Sequence, residues 1–185
     1  MVAPCNCADE WSASVTPYER VQLSRQRTAG VFPFPELRPC IDYAICEFAG
    51  EYRDAVLRDE RTGDKRNTCR THDARAELGD SFYMLLSACI RAEHEPVERP
   101  IVAWTYRRRC NEIVRHLTHA ADNAARLAGE TTSSDYAMEY AQRSLDSAYS
   151  DMVALAAINH GWDVDMIVDD ACRKFESKHA PQEAA

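Results

Sequence analysis

The sequence predicts an all-α fold, a four-helix-bundle core with an extra helical segment. Three observations carry this. Apolar residues recur at steps of three and four along several stretches, no segment shows the strict alternation of a half-buried strand, and Pro, Gly and polar clusters separate the periodic stretches. The 185 residues, 45% of them hydrophobic, suit a single domain that needs no staples.

The elements follow in order. Residues 1–15 are polar and irregular and read as a disordered N-terminal segment. "TPYERVQLSRQRTAG" (16–30) reads as a first helix, with Thr16 as N-cap, Pro17 in the first turn and Gly30 as stop. The three prolines of "VFPFPELRPC" (31–40) mark a connecting loop. From Ile41 to Arg58, Ile41, Ile45, Phe48, Tyr52 and Ala55 form one stripe of a second helix, and "DERTGDKRNTC" is a polar loop. A third helix spans 71–93, with the stripe Leu78, Phe82, Leu85, Leu86 and Cys89, and "HEPVERP" breaks it. An arginine-rich helix is predicted over 101–128, and "AGETTSSD" interrupts the chain again. Ser133 or Ser134 starts a long helix to His160, "GWDVD" turns the chain, and a last helix covers 164–178. The helical domain is therefore 16–178, followed by a disordered tail over 179–185. Residues 145–163 echo the rhythm of "AELGDSFYMLLSACI", which fits a duplicated helix or simply two helices of ordinary composition.

The formal net charge of −8 argues against nucleic-acid and anionic-membrane partners, which require basic surface. A polyanionic small substrate stays open, because a metal ion reverses the local sign. The eight cysteines are scattered, and Cys46 and Cys89 fall in apolar helical runs, as reduced core thiols do. Cys5 and Cys7 are close together but lack a matching Cys or His pair for zinc. No stretch approaches the ~20 apolar residues of a membrane span. The start "MVAPCNCADEW" lacks a signal-peptide layout, so the expected location is cytoplasmic.

The chemistry-bearing pattern is a repeated pair of acids. Glu51/Asp54 and Glu77/Asp80 each set one carboxylate three residues after another, on neighbouring helices. At about 100° per residue, Glu47, Glu51, Asp54 and Arg58 fall within about 60° on the second helix, beside its apolar stripe. Glu77 and Asp80 border the stripe of the third helix. If the stripes pack, the two acidic edges meet along one seam. Carboxylates so gathered are driven towards protonation unless a cation sits among them, and Mg²⁺ or Mn²⁺ suits an all-oxygen site. The plainer reading makes these acids solvated helix flanks paired with Arg53, Arg58 or Arg75, and spacing alone leaves both open.

"AGEYRDA" followed by "AELGDSFYMLL" resembles the MazG-like all-α nucleoside triphosphate pyrophosphohydrolases, whose signature is ExxE, a gap and ExxD. Here 22 residues separate Asp54 from Glu77. "YERVQLSRQRTAG" is similar to the family's first helix, and "LAAINHGWDVDMIVDDACRKFESK" to its last turn and helix, where an N-x-x-K-x-x-x-R pattern is usual. The resemblance covers 16–92 and 150–178. It departs at Asp54, where Glu is usual, at Ala171 in place of the asparagine, and at Lys178 in place of the arginine, while Lys174 matches the lysine. The segment 94–149 has no counterpart in compact members and stands as an insertion.

The resemblance implies an enzyme that hydrolyses a nucleoside triphosphate between the α- and β-phosphorus atoms, giving the monophosphate and pyrophosphate, in nucleotide-pool control. It implies Mg²⁺, with Mn²⁺ as a substitute, held by Glu51, Asp54, Glu77 and Asp80. Glu51 or Glu47 would orient or deprotonate the attacking water. Lys174 and Lys178 would bind the substrate phosphates. It also implies a homo-oligomer, a dimer or tetramer. Two alternatives accompany this reading: a catalytically weakened interaction or regulatory protein of the same fold, and a pyrophosphohydrolase of another phosphoanhydride such as phosphoribosyl-ATP.

Other features carry less. "YRRRC" (106–110) with Arg115 reads as a phosphate guide or as a solvated face. His116 and His119 are i, i+3 neighbours without a third zinc ligand. Trp104 and Trp162 could stack on a base, but each reads first as a core or interface residue. No Gly-rich phosphate loop is present.

Overall fold

Local capping starts the first element as expected. Thr16 and Glu19 form a reciprocal capping box (Thr16 N to Glu19 Oε2, 2.8 Å; Glu19 N to Thr16 Oγ1, 3.3 Å), and Pro17 opens α1, Pro17–Thr28. The structure, a computed structural model, describes residues 15–29, 36–62, 68–129 and 134–179. The expected N-terminal disordered segment up to residue 14, with Cys5 and Cys7, and the tail over 180–185 lie outside the described residues. The last helix runs through His179, one residue into the expected tail.

The second helix begins earlier than its prolines suggested. α2, Leu37–Ile45, takes Pro39 into its first turn, where a missing N–H costs nothing because that group has no intrahelical acceptor. The helix then widens into a π-helical segment, Cys46–Tyr52, and returns to α-geometry in α3, Arg53–Thr62. α4, Thr68–Arg91, closes in a Schellman turn: His94 N bonds Cys89 O (3.0 Å), Glu93 N bonds Ile90 O (3.1 Å), and Glu93 sits at φ 50°. Residues 92–105 are not helical, so α5 starts at Tyr106 rather than at 101, and spans Tyr106–Gly129. α6, Ser134–Ala154, continues as a second π-helical segment, Leu155–His160. Gly161, at φ 67°, turns the chain, and Asp163 Oδ1 caps α7, Val164–His179, by accepting from Asp165 N (2.9 Å) and Met166 N (3.3 Å). Among the described residues there is no strand, and no helix is long and apolar enough to cross a membrane.

The fold is all-α. α5 lies along α6, α2 packs on both α4 and α5, and α7 packs on α1 and α4. The two predicted stripes meet in one core: Ile41, Phe48 and Tyr52 face Leu78, Phe82, Leu85, Leu86 and Cys89, all fully buried, with Ala55 nearly so. The segment set apart in the sequence as an insertion contributes Ile113, Leu117, Leu145 and Ala148 to that same core. Each such large side chain contributes ~1.5–3 kcal/mol of burial. Cys40, Cys89, Cys110 and Cys172 are buried thiols, and burial pushes Cys40 up to about 11 and Cys172 up to about 12. Cys46 is exposed, contrary to its place in an apolar run, because it precedes Phe48 by half a turn and the stripe passes it by.

Candidate metal centre

Two helices and a close crossing build the site. Glu47 projects from the π-helical segment, and Glu77 and Asp80 project from α4, which packs against it. One carboxylate oxygen from each of the three lies within 4.8 Å of the other two, and all three side chains are half-buried. Glu51 and Asp54, expected among the metal ligands, are exposed and stand outside this group. The physical reason is the helix itself. The wider i→i+5 turn of residues 46–52 resets the angular register that a regular helix would have kept across Glu47, Glu51 and Asp54. Glu51 stays near enough to act on the charge of Glu47.

α7 supplies the opposite charge. At Gly79 α4 and α7 approach closely: a Cβ there would stand 3.1 Å from Ile167 O and 3.3 Å from the Ala171 Cβ. Ala171, at the position where the resemblance expects an asparagine, is buried beside Gly79 and lines both clefts described below. The crossing sets the Lys174 ammonium directly on Asp80 Oδ2, in a short charge-assisted bond. Lys178 is exposed on the same face of α7 and lines the same cleft.

The electrostatics record an excess of negative charge. Burial raises the Glu47 carboxyl above its ordinary value, and Asp80, Glu77 and Glu51 push it further, against the pull of Lys174. Burial alone would lower Lys174, but its bond to Asp80 and the charges of Glu77 and Glu47 outweigh that and raise it. The Lys174 ammonium thus bonds Asp80 and lies in the field of Glu77 and Glu47.

Two clefts open beside the group. One, of about 250 Å³, lies between α4 and α7 and is bounded by Arg75, Asp80, Asp170 and Lys174, with Arg75 Nη2 bonded to Asp170 Oδ2 at 2.9 Å. The other, of about 160 Å³, runs from Glu47 and Asp80 past Lys174 and Lys178 to an aromatic wall. In that wall Tyr83 stacks on Phe175 (centroids 4.6 Å, interplanar angle 26°), and Phe175 meets His179 at 4.5 Å. Sequence reasoning missed this wall. Its signal was the i, i+3/i+4 spacing of Ala171, Lys174, Phe175, Lys178 and His179, which places all five on one face of α7.

The remaining expected features resolve as follows. In "YRRRC", Arg109 is buried against Asp151, Arg108 lies over the Trp104 ring at 5.2 Å, and Arg107 is exposed. Trp162 stacks on His160 (4.1 Å, 12°), away from the acids. His116 faces Asp151 and Glu112.

No family model matches the chain, and no curated protein or solved structure matches it either. The functional reading therefore rests on the site.

Proposed function

We propose that Glu47, Glu77 and Asp80 hold a divalent cation, and that the chain is a metal-dependent nucleoside triphosphate pyrophosphohydrolase. The observation that carries the reading is the convergence of three half-buried carboxylates from two helices, with two lysines in the adjoining cleft. The donor set fits the ion. Three hard anionic oxygens suit Mg²⁺ or Mn²⁺, and a cation among them would favour the charged form of Glu47, which burial and then the neighbouring acids disfavour. When bound, the ion neutralises the polyphosphate and polarises its phosphoryl oxygens.

This chain's residues divide the remaining work. Glu47, Glu77 and Asp80 hold the ion. Glu51, exposed and near enough for its charge to act on Glu47, would orient the attacking water and take its proton. Lys174 and Lys178 neutralise the phosphates beyond the acids, Lys174 exchanging Asp80 for phosphate oxygen. Asp54 has no part in the site. Water attacks the α-phosphorus, the bond to the bridging oxygen breaks, and nucleoside monophosphate and pyrophosphate leave.

The test is to incubate the protein with Mg²⁺ or Mn²⁺ and a panel of ribo- and deoxyribonucleoside triphosphates and to assay pyrophosphate against phosphate. Pyrophosphate is expected. Glu77→Gln and Asp80→Asn should each lower its release about 10³-fold, as loss of several kcal/mol of charge stabilisation requires, with far-UV circular dichroism unchanged. Full turnover by both variants refutes the reading. The exposure of Glu51 and Asp54 favours a second one, a regulatory protein of this fold that binds the ion and nucleotide without turnover. Saturable Mn²⁺ uptake with no product from any nucleotide would establish it.

A further inference from the structure

A third cleft shares no residue with the acidic clefts and has the opposite chemistry. It measures about 370 Å³, lies between α3 and α5, and is lined by Arg53, Val56, Leu57, Tyr106, Arg107 and Cys110. No carboxylate lines it, in a chain where 30 acidic residues outnumber 22 basic ones. The guanidinium groups of Arg53 and Arg107 make no hydrogen bond or ion pair among the described residues, whereas those of Arg20, Arg27, Arg38, Arg75, Arg99 and Arg109 are each committed to a carboxylate. Two uncommitted guanidinium groups thus meet at one depression. The rest of its wall is apolar and aromatic. Val56 and Tyr106 are half-buried against the core, and Leu57 is 43% exposed.

Guanidinium groups offer planar forks of donors that match phosphate oxygens. An aromatic ring flanked by aliphatic side chains offers a surface for a planar heterocycle. The volume falls in the range of small-molecule sites. We propose that this cleft is a second ligand site, for a small phosphorylated compound with an aromatic base, of the nucleoside monophosphate class. Arg53 and Arg107 take the phosphate, and Tyr106 with Leu57 takes the base. Tyr106 meets the His160 ring edge-on (centroids 5.9 Å, interplanar angle 85°), and His160 Nε2 is hydrogen-bonded to the Tyr52 hydroxyl at 2.6 Å, which fixes the aromatic wall of the cleft. Tyr52 ends the π-helical segment that carries Glu47.

The site stands independently of the proposed hydrolysis, and so does its test. The full chain is titrated with AMP, and separately with inorganic phosphate, by calorimetry in EDTA, where no cation bridges anions to the acids. AMP is expected to bind saturably in the micromolar to millimolar range and more tightly than inorganic phosphate. The double variant Arg53→Gln/Arg107→Gln should weaken AMP at least about tenfold, as loss of charge-assisted bonds requires, with an unchanged melting temperature. Glu77→Gln should leave AMP binding intact, which separates this site from the acidic one. The proposal is overturned by wild-type affinity in the double variant, by inorganic phosphate binding as tightly as AMP, or by no saturable AMP binding up to millimolar concentration.

Discussion

The molecule gathers carboxylates in two places and treats them in opposite ways. Along α6, Asp146 and Asp151 are buried and each is paired. His94 Nε2 (2.6 Å) and the Val97 N–H (3.1 Å) meet Asp146 Oδ1, and Arg99 Nη2 meets Oδ2 (3.2 Å). Arg109 donates to Asp151 Oδ1 (3.2 Å) and to the Val102 carbonyl (2.8 Å). These bonds, with Arg99 N to Ser150 Oγ at 2.9 Å, strap the non-helical segment 92–105 onto the α5–α6 pair. At the seam of α4 with the π-helical segment, three carboxylates converge, and Lys174 bonds one of them, Asp80. A buried acid paired with its own arginine or histidine is a structural fastening. Three half-buried acids brought together from two helices are what a cation site needs.

The largest effect that tests this contrast is expected at Arg109. Its side chain is 1% exposed, and Arg109→Met leaves Asp151 buried and uncompensated, which should cost ~3–5 kcal/mol in urea unfolding. Adding Asp151→Leu should recover most of the loss, since an apolar pair replaces a buried ion pair at little cost. If the single variant unfolds at the wild-type midpoint, the strap is not a fastening.

Smaller, and at the entrance to the strap, Glu93 holds a left-handed conformation without being glycine. Glu93→Gly should stabilise the chain by about 1 kcal/mol, read as a raised urea midpoint.

At the acidic seam the sign reverses. Glu47→Gln removes a charge that repels two others within 4.8 Å, so in EDTA it should raise stability by roughly 0.5 kcal/mol, the lost attraction to Lys174 offsetting part of the gain. The same variant should bind Mn²⁺ more weakly. A destabilising Glu47→Gln would place this seam in the same class as the strap.

The smallest effect concerns pH. Burial lowers His116 to about 4, so its folding contribution is present above 6.5 and is lost as pH falls through 4. Burial raises Asp151 to about 6 despite Arg109, so the fold takes up a proton there before the unfolded chain does and gains stability as pH falls from 6 towards 4. The two nearly cancel over that window. His116→Asn should therefore lose less stability than wild type between pH 6.5 and 4, and parallel urea-midpoint profiles of the two proteins would contradict the assignment.

Much of this was legible in the residues. The apolar stripes of the second and third helices, the Thr16 cap and the Gly161 turn are set by neighbours within a few positions, and short-range spacing encodes them directly. Three features were not legible. Arg109 lies in a run that reads as a solvated or phosphate-guiding face, yet it is buried, because its partner Asp151 is 42 positions away. Residues 101–105 read as the start of a helix but are not helical: the chain just before them is tied down at Val97 and Arg99 by Asp146 and Ser150, and Trp104 N bonds Val102 O at 2.9 Å in a tight turn. Glu47 joins Glu77 and Asp80 while Asp54 does not, because one wide turn shifts which side chains face α4.

By itself, then, the sequence determined the helical class, most helix limits and the neighbourhood in which acids crowd, since each depends on periodicity and capping over one or two turns. The tertiary structure alone decided which three of the five candidate acids meet, that Gly79 lets α7 close on α4 with Lys174 against Asp80, and that two uncommitted arginines share a cleft. Those outcomes depend on helix register and crossing distance. Both are settled by packing between residues far apart in the chain, where a shift of one position exchanges one facing side chain for another.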